Sequence, residues 1–224
     1  MTIEAVVFDF DGLIVDTESA WYDAWVAVYR NYGLELPQEV WMRCVGTSFD
    51  EFNPFTYLEE KIQKPIDREA TQKFTEEQHA LVMQDRDIRP GVEDYLRSAQ
   101  SLGLKIGLAS SSTRSWVTGF LERYGLLQYF SCIRTADDVS KVKPDPELYV
   151  QALACLGVAA NQAVAFEDSA HGANAAIAAG LKCVIVPNAL TASLTFPDYD
   201  LRLASMADRP LADVLAELSQ KVAD

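Results

Sequence analysis

The sequence predicts an α/β protein: a doubly wound, parallel, Rossmann-like sheet interrupted by an inserted bundle of helices. Three observations carry that expectation. The apolar run Val6-Val7-Phe8 ends in Asp9-Phe10-Asp11-Gly12, so a strand delivers two carboxylates to its C-terminal end just before the chain turns. From about residue 104 onward, β-branched apolar runs alternate with helix-length amphipathic segments, the pattern of βα units. Between these two regions, from Ser19 to Asp87, no convincing strand appears.

Taken in order, the first strand is followed by helical patterns over 17–32, stopping at Gly33, and over 38–44, 50–63 and 67–86. Pro90-Gly91 closes this stretch. Strands are then expected at Leu104–Ala109, Ser131–Thr135, Ala163–Phe166 and Cys183–Val186, with helices near 113–125, 145–157, 169–180 and 209–222. Gly157 and Gly180 read as helix ends. The expected organisation is an α/β core of residues 1–16 and 89–224 with a helical segment, residues 17–88, inserted after the first strand.

Composition narrows the function. Apolar residues make up 49% of 224, enough for a full core in a monomer, and no run of 18 apolar residues offers a membrane span. The net charge of −14 repels phosphate backbones, so nucleic acid and acidic membranes are poor partners. An anionic small substrate then needs a local positive site. Met-Thr-Ile-Glu-Ala leads straight into a strand without a basic region or cleavage site, which argues against a signal peptide. Cys44, Cys132, Cys155 and Cys183 lack Cys-x-x-Cys spacing and read as small buried apolar residues rather than metal or redox groups. Cytoplasmic residence fits.

Ligands of doubly wound folds bind beyond the carboxyl ends of the strands, and four motifs fall there. Asp9 and Asp11 come first; paired oxygens suit Mg²⁺, although two such acids also cap turns. Ser110-Ser111-Ser112-Thr113 follows a strand and opens a helix, which reads as an anion site or as a serine-rich N-cap. Lys143, stiffened by Pro144 and Pro146, offers a point charge for phosphate or an ordinary surface lysine. Glu167-Asp168-Ser169 ends another apolar strand before a small-residue helix, as a second pair of acids or a plain N-cap.

The Asp-Phe-Asp-Gly and Asp-Thr-Glu pair, the serine-rich strand end, Lys-Pro and Glu-Asp-Ser occur in this order in the haloacid dehalogenase superfamily, which this chain resembles from end to end. The position of the insert resembles the helical-cap members, among them phosphatases of small phosphorylated metabolites and β-phosphoglucomutase. The resemblance implies that Asp9 is a nucleophile forming an aspartyl-phosphate. It implies Mg²⁺ as cofactor, held by Asp9, Asp168 and the backbone carbonyl of Asp11, with Glu167 behind them. Lys143, Ser110 and Ser111 would bind the phosphoryl group, and the Asp11 side chain would serve as general acid and then base. The dehalogenases of the superfamily lack this second acid and the metal, so its presence favours phosphoryl transfer.

Specificity is expected from the cap. Where the mutases carry a histidine on the first cap helix this sequence has Trp21. Where they carry a distal-phosphate arginine in the cap loop, Val45-Gly46-Thr47-Ser48-Phe49 offers Phe49, leaving Thr47 and Ser48 as polar substrate contacts. Trp21 and Trp25, four apart, read as helix packing or as an aromatic lid. The expected activity is a Mg²⁺-dependent phosphatase acting on a small phosphorylated metabolite such as a sugar phosphate. A phosphomutase of the β-phosphoglucomutase type is the alternative, and a non-catalytic phospho-ligand binder ranks last.

Overall fold

The computed structural model describes residues 2–42 and 53–220. Six strands form one sheet: β1 (Ala5–Phe8), β2 (Lys105–Ala109), β3 (Cys132–Arg134), β4 (Ala163–Glu167), β5 (Lys182–Ile185) and β6 (Leu201–Arg202). Their spatial order is β3-β2-β1-β4-β5-β6, and every neighbouring pair is parallel. The chain fills the sheet outward from β1 through β2 to β3, then crosses back to place β4 on the other side of β1. The strand order therefore reverses at β1, the switch point at which doubly wound sheets open a crevice. β1 and β4 are buried at every position, as strands covered on both faces must be, which is why they read as continuous apolar runs rather than alternating ones.

The chain divides into two compact units. The α/β unit comprises Met1–Val15, Ile88–Asn188 and Ala192–Asp224, and the helical unit comprises Asp16–Asp87 with Ala189–Thr191. In the helical unit, α1 (Thr17–Asn31), α2 (Gln38–Trp41), α3 (Pro54–Ile62) and α4 (Arg68–Gln84) follow one another. Asp16, Asn53 and Asp67 cap α1, α3 and α4 through side-chain oxygens that accept free backbone N–H groups. α1 packs along α4. Trp25 is buried edge-on against Phe55, ring centroids 4.8 Å apart, and Tyr29 donates to the Pro54 carbonyl at 2.8 Å. Trp21 stacks on His79 at 3.8 Å between ring centroids. Both tryptophans thus serve helix packing.

In the α/β unit, α5 (Val92–Ser101), α6 (Arg114–Arg123), α7 (Glu147–Leu156), α8 (Ala170–Ala178) and α9 (Leu211–Gln220) accompany the strands. Gly157 ends α7, and Gly180 lies just beyond α8. Two elements depart from the sequence reading. α5 was not expected, although Val92, Tyr95, Leu96 and Ala99 are its buried stripe at helical spacing. β6 has only two residues, too few to show any periodicity. The two crossings between units leave side by side, because Val15 and Ile88 form an antiparallel bridge and the Arg89 N–H donates to the Ile14 carbonyl at 2.8 Å. Among the described residues, no helix is long and apolar enough to cross a membrane.

One sequence expectation is corrected. Cys132 and Cys155 are joined in a disulfide, so they are not simply small buried apolar residues. Spacing alone hid the pair, because they lie 23 positions apart and only the packing of α7 on β3 brings their Cα atoms to 6.2 Å. Cys183 is buried and free, as expected, and Cys44 lies outside the described residues.

Candidate active site

The site grows from the register of β1 between β2 and β4. Phe8 is level with Leu108 on one side and Phe166 on the other, so the residues that follow each strand emerge together. The Asp9 N–H extends the ladder by donating to the Phe166 carbonyl at 3.0 Å. Ser110 does the same next door, its N–H donating to the Arg134 carbonyl at 2.9 Å. Beyond Asp9 the chain doubles back. Gly12 N–H donates to the Val15 carbonyl at 2.7 Å, and Phe10, Leu13, Ile14 and Val15 anchor the loop in the core. Arg89, a residue the sequence reading passed over, clamps this loop. Its guanidinium donates to the carbonyls of Gly12 (2.5 Å), Val186 (2.9 Å) and Pro187 (2.9 Å), tying the ends of β1 and β5 together.

Two glycines make room for the acids. A Cβ on Gly12, which holds φ +81°, would stand 2.1 Å from an Asp168 carboxylate oxygen. A Cβ on Gly172, in the first turn of α8, would stand 2.0 Å from the Glu167 carboxylate. Side chains larger than hydrogen are excluded at both positions by the carboxylates themselves.

Lys143 is the centre of the charge arrangement. Its Nζ donates to Asp9 Oδ1 at 2.5 Å and to Glu167 Oε1 at 2.6 Å, with only 6% of its side chain exposed. Tyr149, six residues on and in the first turn of α7, donates its hydroxyl to Glu167 Oε1 at 2.5 Å. Asn188 donates to Asp168 Oδ2 at 2.9 Å. Asp9, Glu167 and Asp168 are all buried, and one oxygen of each lies within 4.8 Å of the others. Burial, then the Glu167 charge, push the Asp9 carboxyl well above the usual carboxylate range against the pull of Lys143. Burial alone would lower the Lys143 pKa, but Asp9 and Glu167 together outweigh it and hold the ammonium charged. Three carboxylates thus face one cation. The set lacks positive charge and consists of hard oxygen donors, which is the fit a divalent ion such as Mg²⁺ requires.

Asp11 points into a different neighbourhood. Its Oδ2 accepts from Ser110 Oγ at 3.2 Å and from Ser112 Oγ at 2.7 Å, and its Oδ1 accepts from Trp116 Nε1 at 3.0 Å. Ser112 and Trp116 were absent from the sequence-based set. The serine run pointed to the first, whereas nothing in the spacing of Trp116 distinguished it from a packing residue of α6. Ser110 is fully buried and also accepts from the Ser112 N–H at 3.0 Å, while Ser111 is exposed in the same loop. The structure therefore brings Asp9, Lys143, Glu167 and Asp168 into one cluster and ties Asp11 to Ser110. Thr47, Ser48 and Phe49 lie outside the described residues.

This geometry can be set beside known proteins. The family model of haloacid dehalogenase-like hydrolases matches residues 6–186, which include all four catalytic-loop motifs. The chain belongs to this family. YhcW of Bacillus subtilis (strain 168), which bears a provisional phosphatase name, is 49% identical over 219 residues, covering 98% of this chain and 99% of that protein. The phosphorylated carbohydrates phosphatase of Thermotoga maritima is 31% identical over 180 residues, 80% of this chain and 83% of that protein. A family hydrolase from Deinococcus radiodurans, solved with bound phosphate and sodium, superposes with a TM-score of 0.79 at 27% identity, covering 97% of this chain and 96% of the other. Like these haloacid dehalogenase-like hydrolases, the chain is an enzyme, of the phosphoric monoester hydrolase class.

Proposed function

We propose that the enzyme hydrolyses a small phosphorylated metabolite, of the sugar phosphate kind, with Mg²⁺ as cofactor and an aspartyl-phosphate on Asp9 as intermediate. The observation that carries this reading is the buried Asp9 carboxylate held between Lys143 and the Glu167-Asp168 pair. A carboxylate needs no base to become a nucleophile, so its difficulty is charge. Two like unit charges 4 Å apart repel by about 4 kcal/mol at an effective dielectric of 20, roughly three decades of rate. Asp9, Asp168 and the Asp11 carbonyl would hold Mg²⁺, which when bound offsets the charge of the phosphoryl oxygens.

The chain's own residues supply the rest. An Asp9 oxygen forms a bond to phosphorus while the ester P–O bond breaks, and Asp11 passes a proton to the departing alkoxide. Water then attacks the phosphorus, Asp11 takes its proton, and the acyl-phosphate bond breaks to return Asp9 and release phosphate. Lys143 neutralises one Asp9 oxygen, and Glu167 with Tyr149 holds Lys143 in place. The exposed Ser111, and Ser110 once its hydroxyl turns away from Asp11, receive the phosphoryl oxygens at the end of β2. The helices of residues 17–88 act as a cap, hinged at the adjacent crossings near Val15 and Ile88.

The relative named for phosphorylated carbohydrates supports the substrate class. The test is a panel of phosphate esters assayed with Mg²⁺ and with excess chelator. Release of phosphate from sugar monophosphates, lost on chelation and independent of added hexose bisphosphate, is the expected result. A requirement for hexose bisphosphate, with isomerised sugar phosphate as product, would make the enzyme a mutase instead.

A further inference from the structure

The Cys132–Cys155 disulfide has no part in the proposed phosphatase chemistry. We propose that it is a thiol–disulfide exchange site, entered at Cys155 by low-molecular-weight thiols and disulfides, that sets the stability of the α/β unit.

Its placement is asymmetric. Cys132 opens β3, one of the two edge strands of the sheet, and is only 3% exposed. Cys155, next to last in α7, is exposed. A nucleophile arriving from solvent therefore reaches the sulfur of Cys155 and not that of Cys132. Cys183 offers no competing route among the described cysteines, since it is fully buried and its thiol is pushed up by burial and then by Glu167, remaining protonated.

The exchange balances with a thiol as reductant and its disulfide as oxidant. In the opening direction an external thiolate bonds to Cys155 Sγ, and the Cys132 sulfur leaves with the electron pair and takes a proton. A second external thiolate attacks the external sulfur of the mixed disulfide, releasing Cys155 as a thiol and the reagent as its disulfide. Closing is the reverse: Cys155 attacks a small disulfide and displaces one thiol. Cys132 then attacks Cys155 Sγ and displaces the second.

The loop closed by this bond contains Lys143 and Tyr149, yet the bond is not what positions them. Leu148, Tyr149, Ala152, Leu153 and Leu156 bury α7 in the core, and Lys105 Nζ donates to the Leu156 carbonyl at 2.6 Å. With the bond open, α7 stays docked and turnover is retained. What changes is the unfolded chain, which regains the freedom of a segment whose ends are 23 residues apart. That raises the unfolding equilibrium constant roughly three hundredfold.

The experiment uses the full chain equilibrated in oxidised or in reduced glutathione. Free thiols are blocked with iodoacetamide, the rest are reduced and labelled with N-ethylmaleimide, and each cysteine peptide is mapped by mass spectrometry, which keeps Cys44 separate. Cys132 and Cys155 should carry N-ethylmaleimide after oxidised glutathione and iodoacetamide after reduced glutathione. The unfolding equilibrium constant from urea titration should differ roughly three hundredfold between the two buffers at equal kcat. Iodoacetamide on both cysteines after oxidised glutathione overturns the proposal, as does a bond that reduced glutathione leaves closed in the folded protein. The double variant Cys132→Ala/Cys155→Ala should match the reduced parent and ignore the buffer. A redox-dependent stability that persists in it also overturns the assignment. The mapping decides alone if that variant fails to fold.

Discussion

The indole Nε1–H of Trp116 donates to Asp11 Oδ1 at 3.0 Å, while Ser110 and Ser112 donate to the other oxygen of the same carboxylate. An acid and base that must meet a leaving group and then a water has to be aimed, and these three donors aim it. Trp116→Phe keeps the ring against Phe120 and removes one donor. A neutral donor to a charged group is worth about 1.5–3 kcal/mol, so kcat should fall at least tenfold while KM moves little. Unchanged kcat would show that Asp11 is positioned without the indole.

Asp9→Asn should abolish turnover and leave the fold intact. The substitution removes the nucleophile, and it also removes a carboxylate that burial and Glu167 disfavour, so thermal stability without metal should not fall. Phosphate release within tenfold of the parent would exclude Asp9 from the chemistry.

Lys143→Met leaves Asp9 and Glu167 facing each other without their shared cation. Breaking a buried ion pair in this way costs about 3–5 kcal/mol. Urea unfolding should register that loss, and Mg²⁺ should recover part of it because the variant keeps all three acids. A variant as stable as the parent in chelator would mean that the carboxylates do not bear unscreened charge.

Gly172→Ala tests the packing behind the cluster. The new methyl would meet the Glu167 carboxylate at 2.0 Å, and that carboxylate is pinned by Lys143 and Tyr149 and cannot swing aside freely. Overpacking of this kind costs about 1–3 kcal/mol, and displacement of Glu167 should reduce kcat as well. Parental values of both would show that Glu167 relaxes at little cost.

Acid stability has a separate source. Burial raises the Asp138 carboxyl, but hydrogen bonds from the Thr135 backbone and hydroxyl and from Arg114 outweigh it and hold the group below the ordinary range. A folded-state value below the unfolded one contributes stability that is fully present above the unfolded pKa. It is lost as pH falls through the folded value, in the window below about pH 4. Thr135→Val should therefore move the acid-unfolding midpoint upward, with little change near neutrality in its pH dependence. An unchanged midpoint would remove Asp138 from the acid response.

Much of the architecture is written locally. An apolar run closed by Asp9-Phe10-Asp11-Gly12 specifies a buried strand and its turn, and β2 and β4 likewise end where an apolar run meets a polar cluster. Hydrogen bonding and burial along one segment are decided within a few residues, so the strands at 105–109 and 163–167 were legible to within a residue or two. The same locality explains the candidates Asp9, Asp11, Ser110, Lys143, Glu167 and Asp168, since each sits at the strand end or stiffened loop that its own neighbours define.

What the sequence by itself determined was thus the class of fold, the strand ends and the residue types offered there. The tertiary structure alone decided how those ends face each other. Lys143 reaches Asp9 across 134 positions of chain, Trp116 reaches Asp11 across 105, and Arg89 reaches Val186 across 97. Cys132 finds Cys155 only because α7 packs on β3. Contacts of this kind depend on parallel register and on helix docking, which bring distant segments to within hydrogen-bond reach. A single residue's neighbours in sequence carry no record of that distance, and so the partners of the charged groups emerge only when the sheet has closed around β1.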